Sequence, residues 1–125
     1  MVDTKERVER AKELFTSGYN CAQSVVLAYA DIIKLDPTLA ATISASFGGG
    51  MGRLREVCGA VSGAMLVLGM AEGEDSEADH VKKSNLYKRG QDFCGIFKDE
   101  MGSIICRELL GLPGGKDSSV PEKRT

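Results

Sequence analysis

Apolar residues recur along this chain at helical intervals and never in a sustained strict alternation, so the pattern predicts helices rather than strands. Residues 3–17 read as a first amphipathic helix, with Val8, Ala11, Leu14 and Phe15 on one face and Lys5, Glu6, Glu9 and Lys12 between them. Gly18 stops it, as a glycine just past a helix does. Asn20 is a good N-cap for a second helix from Cys21 to about Lys34, whose apolar face includes Val25, Leu27, Ala28 and Ile32. Asp36-Pro37 starts a third helix, to about Ser46, because Asp caps and Pro fits the first helical position.

Phe47-Gly-Gly-Gly-Met51-Gly52-Arg53 holds too much glycine to continue a helix. A fourth helix is predicted from about Glu56 to Met70. It is apolar nearly all round and is therefore expected to be the central, buried one. Its Gly59, Ala60, Gly63 and Ala64 form a strip of small residues that lets a neighbouring backbone come close. An acidic connection around Glu72–Asp79 leads to a fifth helix, about Ser76 to Glu100, with Leu86, Phe93, Phe97 and Met101 facing inward and Gly90 and Gly95 as weak points. Gly102-Ser103 breaks the chain, and a short helix from Cys106 ends at Gly111. The expected fold is all-α: a single-domain bundle of five or six helices over residues 1–112, followed by a flexible tail over 113–125.

A chain of 125 residues buries enough surface to fold without a disulfide or a metal, which weakens a purely stapling role for its four cysteines. Net charge is −2, tryptophan is absent and aromatics are 6%, which argues against nucleic acid as a partner. The N-terminal MVDTKERVER has no apolar core of a secretory signal, and the longest apolar stretch, Ala60 to Ala71, is too short for a spanning helix. These features predict a soluble cytoplasmic protein without membrane insertion, in a compartment that keeps thiols reduced.

The chemistry-bearing residues are Cys21, Cys58, Cys94 and Cys106. Three of them, Cys21, Cys58 and Cys106, fall where a helix begins, and unpaired N–H groups with the positive end of the dipole favour a thiolate there. Brought together by folding, they would make a redox-active thiol cluster or a soft-metal cage. No C-x-x-C is present, which removes the thioredoxin-type motif, paired zinc knuckles and c-type haem attachment. The competing reading is that cysteine packs as a small hydrophobe. Cys94, mid-helix between Phe93 and Gly95, suits the core at least as well as a ligand set.

Gly48, Gly49, Gly50 and Gly52, with Gly59 nearby, lack the spacings of phosphate-binding loops. Their backbone N–H groups could form an anion nest, or solvate a negatively charged sulfur centre, with Arg53 and Arg55 beside them. The alternative is a close-packed turn. His80, the only histidine, is expected at the surface, and nothing in the spacing pairs it with a cysteine.

Four segments in order, Gly18-Tyr-Asn-Cys21-Ala-Gln, Phe47-Gly-Gly-Gly-Met-Gly52, Cys58-Gly-Ala-Val-Ser-Gly63 and Gly102-Ser-Ile-Ile-Cys106-Arg-Glu-Leu-Leu-Gly111, resemble the C_GCAxxG_C_C family. That family comprises small proteins with four characteristic cysteines to which a redox role is ascribed. A related domain accompanies haem in split-Soret cytochromes, where an iron–sulfur centre is implied. The resemblance covers about residues 5–111 and supports Cys21, Cys58 and Cys106 as functional thiols. In the family pattern the last cysteine lies beyond the C-R-E-L segment, whereas this chain has none after Cys106. Cys94 precedes that segment, so the remaining coordination of a centre falls to water, a backbone group, a partner subunit or Cys94.

Three functions follow as expectations. The first is a redox protein whose Cys21, Cys58 and Cys106 hold an iron–sulfur cluster or other thiolate-bound metal. The second is a metal-free thiol–disulfide protein with Cys58 as the reactive sulfur. The third is a non-catalytic helical module that binds a protein partner. A redox partner protein is implied by the first two, and a homodimer stays open.

Overall fold

Asn20 shows how closely local chemistry sets the helix boundaries. Its side chain accepts a hydrogen bond from the Gln23 N–H at 2.9 Å, and the Gln23 side chain accepts one from the Asn20 N–H at 3.1 Å. This reciprocal box satisfies two otherwise orphaned donors and starts the helix at Cys21. The computed structural model describes residues 4–73 and 80–111. Within them run α1 (Thr4–Thr16), α2 (Cys21–Tyr29), α3 (Pro37–Ser44), a 3₁₀ turn (Ala45–Phe47), a four-residue turn α4 (Gly48–Met51), α5 (Gly59–Glu72), α6 (His80–Met101) and a single turn α7 (Cys106–Leu109). The chain is thus an all-α bundle, as its periodicity predicts. The 113–125 tail and the acidic residues 74–79 lie outside the described residues.

Regular helix α2 stops at Tyr29, five residues before the predicted end, and the chain continues in turns. It closes at Lys34 (φ 56), where the Leu35 N–H bonds the Ala30 carbonyl at 2.9 Å and the Lys34 N–H faces that of Asp31. That is a Schellman-type closure with lysine in the place that glycine usually takes. Asp36 then caps α3 by accepting from the Leu39 N–H at 3.1 Å, with Pro37 at the first helical position.

The core gathers on α2. Ala22, Val26 and Ala28 have no exposed surface, and Val26, Leu27, Ala30 and Ala40 form one cluster against Leu14, Leu35, Leu66 and Val67. The sequence pattern assigns the central place to the apolar helix now seen as α5, and the structure corrects this. Of α5 only Gly59, Val61 and Gly63 are buried, and Met70 is 48% exposed. The small-residue strip does work as expected. A Cβ added at Gly63 would stand 2.9 Å from the Ala22 carbonyl oxygen, and one at Gly59 would stand 3.1 Å from the Ala22 nitrogen. Small residues on both helices let α2 and α5 approach closely, so α2 takes the middle.

Helix α6 rests on α5 through Gly90, whose added Cβ would stand 3.2 Å from the Met65 sulfur. Only a narrow stripe of it is covered: Lys83, Leu86, Gly90, Cys94 and Phe97. Phe93 (38% exposed) and Met101 (58%) lie off that stripe, against the inward orientation their spacing predicts. No described helix is long and apolar enough to cross a membrane.

Candidate functional site

The site grows from the glycine-rich segment after α3. Gly49, Gly50, Met51, Gly52 and Arg53 follow one another with φ between 60° and 71°, and Arg55 adds a φ of 61°. Five successive left-handed residues make a reversed turn, unfavourable by about 1–2 kcal/mol for each residue that carries a Cβ. Surrounding structure holds it. The Arg53 N–H bonds the Gly48 carbonyl at 3.1 Å, the Arg55 N–H that of Gly49 at 3.2 Å, and the Glu56 N–H that of Gly50 at 3.0 Å. These three amides face the loop's own carbonyls, as they do in a close-packed turn.

The glycines are required by neighbours as well as by φ. Gly48 packs against the Asn20 side chain, and a Cβ at Gly50 would stand 2.6 Å from Cys106 Cβ and 2.9 Å from the Arg55 Cα. The turn therefore fits between the start of α2 on one side and the start of α7 on the other.

Beyond the turn, residues 56–58 lie antiparallel to 104–106, with Val57 opposite Ile105. The Cys58 N–H donates to the Ile104 carbonyl at 2.8 Å, and the Cys106 N–H to the Glu56 carbonyl at 2.5 Å. Ser103 supports the second segment by accepting from the Ile105 N–H and donating to Glu108 Oε1 at 2.6 Å. This single bridge joins cysteines that are remote in sequence. They are diagonal neighbours across it, a placement that puts side chains of one face about 7–8 Å apart.

Cys21 joins from the other side. It is the first residue of α2, and its Cβ lies 3.1 Å from the point where a Gly59 side chain would begin. Gly59 follows Cys58, so standard backbone dimensions keep Cys21 Cβ within about 8.5 Å of the Cys58 Cα. Cys58 itself is the N-cap of the fourteen-residue α5. Cys21 and Cys58 are half-buried, and Cys106 is 8% exposed. Cys94 is half-buried on α6 and lines an apolar groove of about 490 Å³ with Phe47, Met51, Val57, Val61 and Ile104. Val57 and Ile104 are the residues next to Cys58 and across from it, so Cys94 borders the site without entering the bridge.

None of the four cysteines is in a disulfide. Among the described residues no three Cys, His, Asp or Glu side chains come together as a group able to hold a metal ion. The set Cys21, Cys58 and Cys106 is therefore neighbouring but does not form a ready three-sulfur cage. His80 is exposed at the first residue of α6.

The sequence places Arg53 and Arg55 together beside the glycine loop, and the structure separates them. The Arg55 guanidinium is buried, with the residue 3% exposed, and Nη1 points at Cys106 Sγ from 3.9 Å. Arg53, two residues earlier, is exposed. Nothing in the segment Arg53-Leu54-Arg55 distinguishes the two. Their separation follows from the left-handed turn, which the glycine content announces only in outline.

The profile of one family matches residues 19–125, a family described as "Putative redox-active protein (C_GCAxxG_C_C)". No curated protein and no solved structure gave a match. The matched stretch contains Cys21, Cys58, Cys94, Cys106 and the whole glycine turn, and this chain belongs to the C_GCAxxG_C_C family.

Proposed function

We propose that the chain is a cytoplasmic thiol–disulfide redox protein whose working sulfurs are Cys21, Cys58 and Cys106. The observation that supports this reading is the bridge between Val57 and Ile105, with Gly59 set against Cys21, because it brings the backbones of the three cysteine segments to one turn. Cys58 is the attacking sulfur in this proposal. It is half-exposed, its neighbour Gly59 has no side chain to obstruct approach, and it sits at the N-terminal end of a long helix, where unpaired N–H groups stabilise negative charge.

The Cys58 thiolate attacks one sulfur of a substrate disulfide, a mixed disulfide forms, and the other substrate sulfur leaves as a thiolate. A second cysteine, Cys21 or Cys106, attacks the Cys58 sulfur, forms an internal disulfide and releases the second substrate thiolate. Two electrons pass to the substrate, and two protein thiols lose their protons.

An iron–sulfur cluster or other soft metal needs three or four converging thiolates, and the described residues do not present such a set as they stand.

The test is a titration of anaerobically purified protein with glutathione disulfide, counting free thiols. The reading predicts a two-electron transition that disappears in Cys58→Ser. Stoichiometric iron and acid-labile sulfide in the same preparation would transfer the function to a cluster and contradict it.

A further inference from the structure

Arg55 presents a buried positive charge with an incomplete set of partners. Its backbone is fixed by the left-handed turn, and its carbonyl accepts from the Arg107 N–H and from Arg107 Nη1, both at 3.2 Å. Its Nε is buried and has no hydrogen-bond partner, and no carboxylate lies within ion-pair distance of its guanidinium among the described residues. The nearest acidic group in sequence, Glu56, instead meets Arg107 Nη1 at 3.3 Å. The side-chain partner that remains is Cys106 Sγ, at 3.9 Å from Nη1. A guanidinium taken out of water without an anion is strongly unfavourable, whereas a charge-assisted bond to an anionic sulfur offsets part of that loss.

We propose that Arg55 is a positioning residue for Cys106: it holds that sulfur and stabilises the negative charge left on it whenever a disulfide that includes Cys106 is reduced. This rests on the thiol–disulfide reading above and assigns Cys106 the part of the leaving sulfur. An external thiolate attacks the sulfur bonded to Cys106, a new S–S bond forms there, the old bond breaks, and its electron pair goes to Cys106 Sγ, which then faces the guanidinium. The oxidant that restores the bond is a small-molecule disulfide such as glutathione disulfide. Among the described residues no arginine or lysine bonds the Cys58 sulfur as Arg55 does that of Cys106, so the two thiols differ in kind. Arg55 would thereby set the direction of exchange by favouring the reduced state.

The experiment equilibrates wild type, Arg55→Met and Arg55→Lys with graded ratios of reduced to oxidised glutathione, reading Cys106 oxidation by mass spectrometry. Circular dichroism confirms that each variant is folded. Arg55→Met is expected to shift the equilibrium about tenfold toward the disulfide, and Arg55→Lys to recover part of the shift. An unchanged midpoint in folded Arg55→Met overturns the proposal. If wild type forms no disulfide at any ratio, the thiol–disulfide reading fails, and the pair is then judged by a second measurement on reduced protein. A double-mutant cycle in urea unfolding between Arg55→Met and Cys106→Ala is expected to give a coupling of about tenfold in the folding equilibrium. Additive effects overturn the pair itself.

Discussion

At the scale of single residues, glycine decides where the sulfurs can meet. Gly50 sits at φ 71° with no room for a side chain, since an added Cβ would stand 2.6 Å from Cys106 Cβ and 2.9 Å from the Arg55 Cα and the Glu56 nitrogen. Gly50→Ala must displace backbone, so a loss of about 3 kcal/mol or more is expected in urea denaturation. Gly69→Ala is the contrast: it lies inside α5 with nothing within 4 Å of the new methyl. It should raise stability by about 0.5–1 kcal/mol through the ordinary preference of alanine for helix. Gly-Gly-Gly in the sequence is enough to rule out a helix. It does not reveal that Met51, Arg53 and Arg55 also take left-handed φ, because the turn they form fits between Asn20 against Gly48 and Cys106 against Gly50, both distant in the chain.

Elements are joined by a few polar clamps whose effect on stability can be read with pH. Arg7 of α1 forks onto Asp31 at 2.6 and 3.0 Å and also reaches the Ala28 carbonyl at 2.9 Å, tying α1 to the turn after α2. The Arg7 hydrogen bond holds the Asp31 carboxyl below its ordinary value; burial opposes it as the next-largest effect, and the Arg7 charge adds a smaller lowering. A group depressed in the folded state adds stability above its unfolded value and loses it as pH falls through the folded one. Wild type should therefore be more stable than Asp31→Asn at neutral pH, with the difference vanishing in acid below the ordinary carboxylate range, as followed by thermal melts across pH. Asn20 is a second clamp, since it caps α2 and also donates from Nδ2 to the Ala45 carbonyl at 2.9 Å. Asn20→Ala should lower stability by at least about 1 kcal/mol in urea, and more than an isolated cap would, because α2 and the segment before the glycine turn both lose a partner. The cap at Asn20 and the start at Cys21 were legible because a capping box is local. The placement of Phe93 and Met101 was not, because the face that α6 buries depends on where Gly90 meets Met65.

For the molecule as a whole, the bundle and the helix-start positions of three cysteines could be read from periodicity, caps and glycines. The central helix could not. Hydrophobicity alone favoured α5, whereas Ala22, Gly59 and Gly63 show that close approach of small residues puts α2 in the middle. The joining of Cys58 and Cys106 was also hidden, since one bridge between Val57 and Ile105 leaves no alternating pattern to find. Family membership makes redox chemistry the class of function to test, and the proposal sites it at the turn Gly48–Met51. The most direct measurement is disulfide mapping by mass spectrometry of protein treated with limiting glutathione disulfide. The account predicts an intramolecular disulfide between two of Cys21, Cys58 and Cys106, with Cys94 still reduced. Oxidation that links Cys94 first, or that produces only links between molecules, would contradict it.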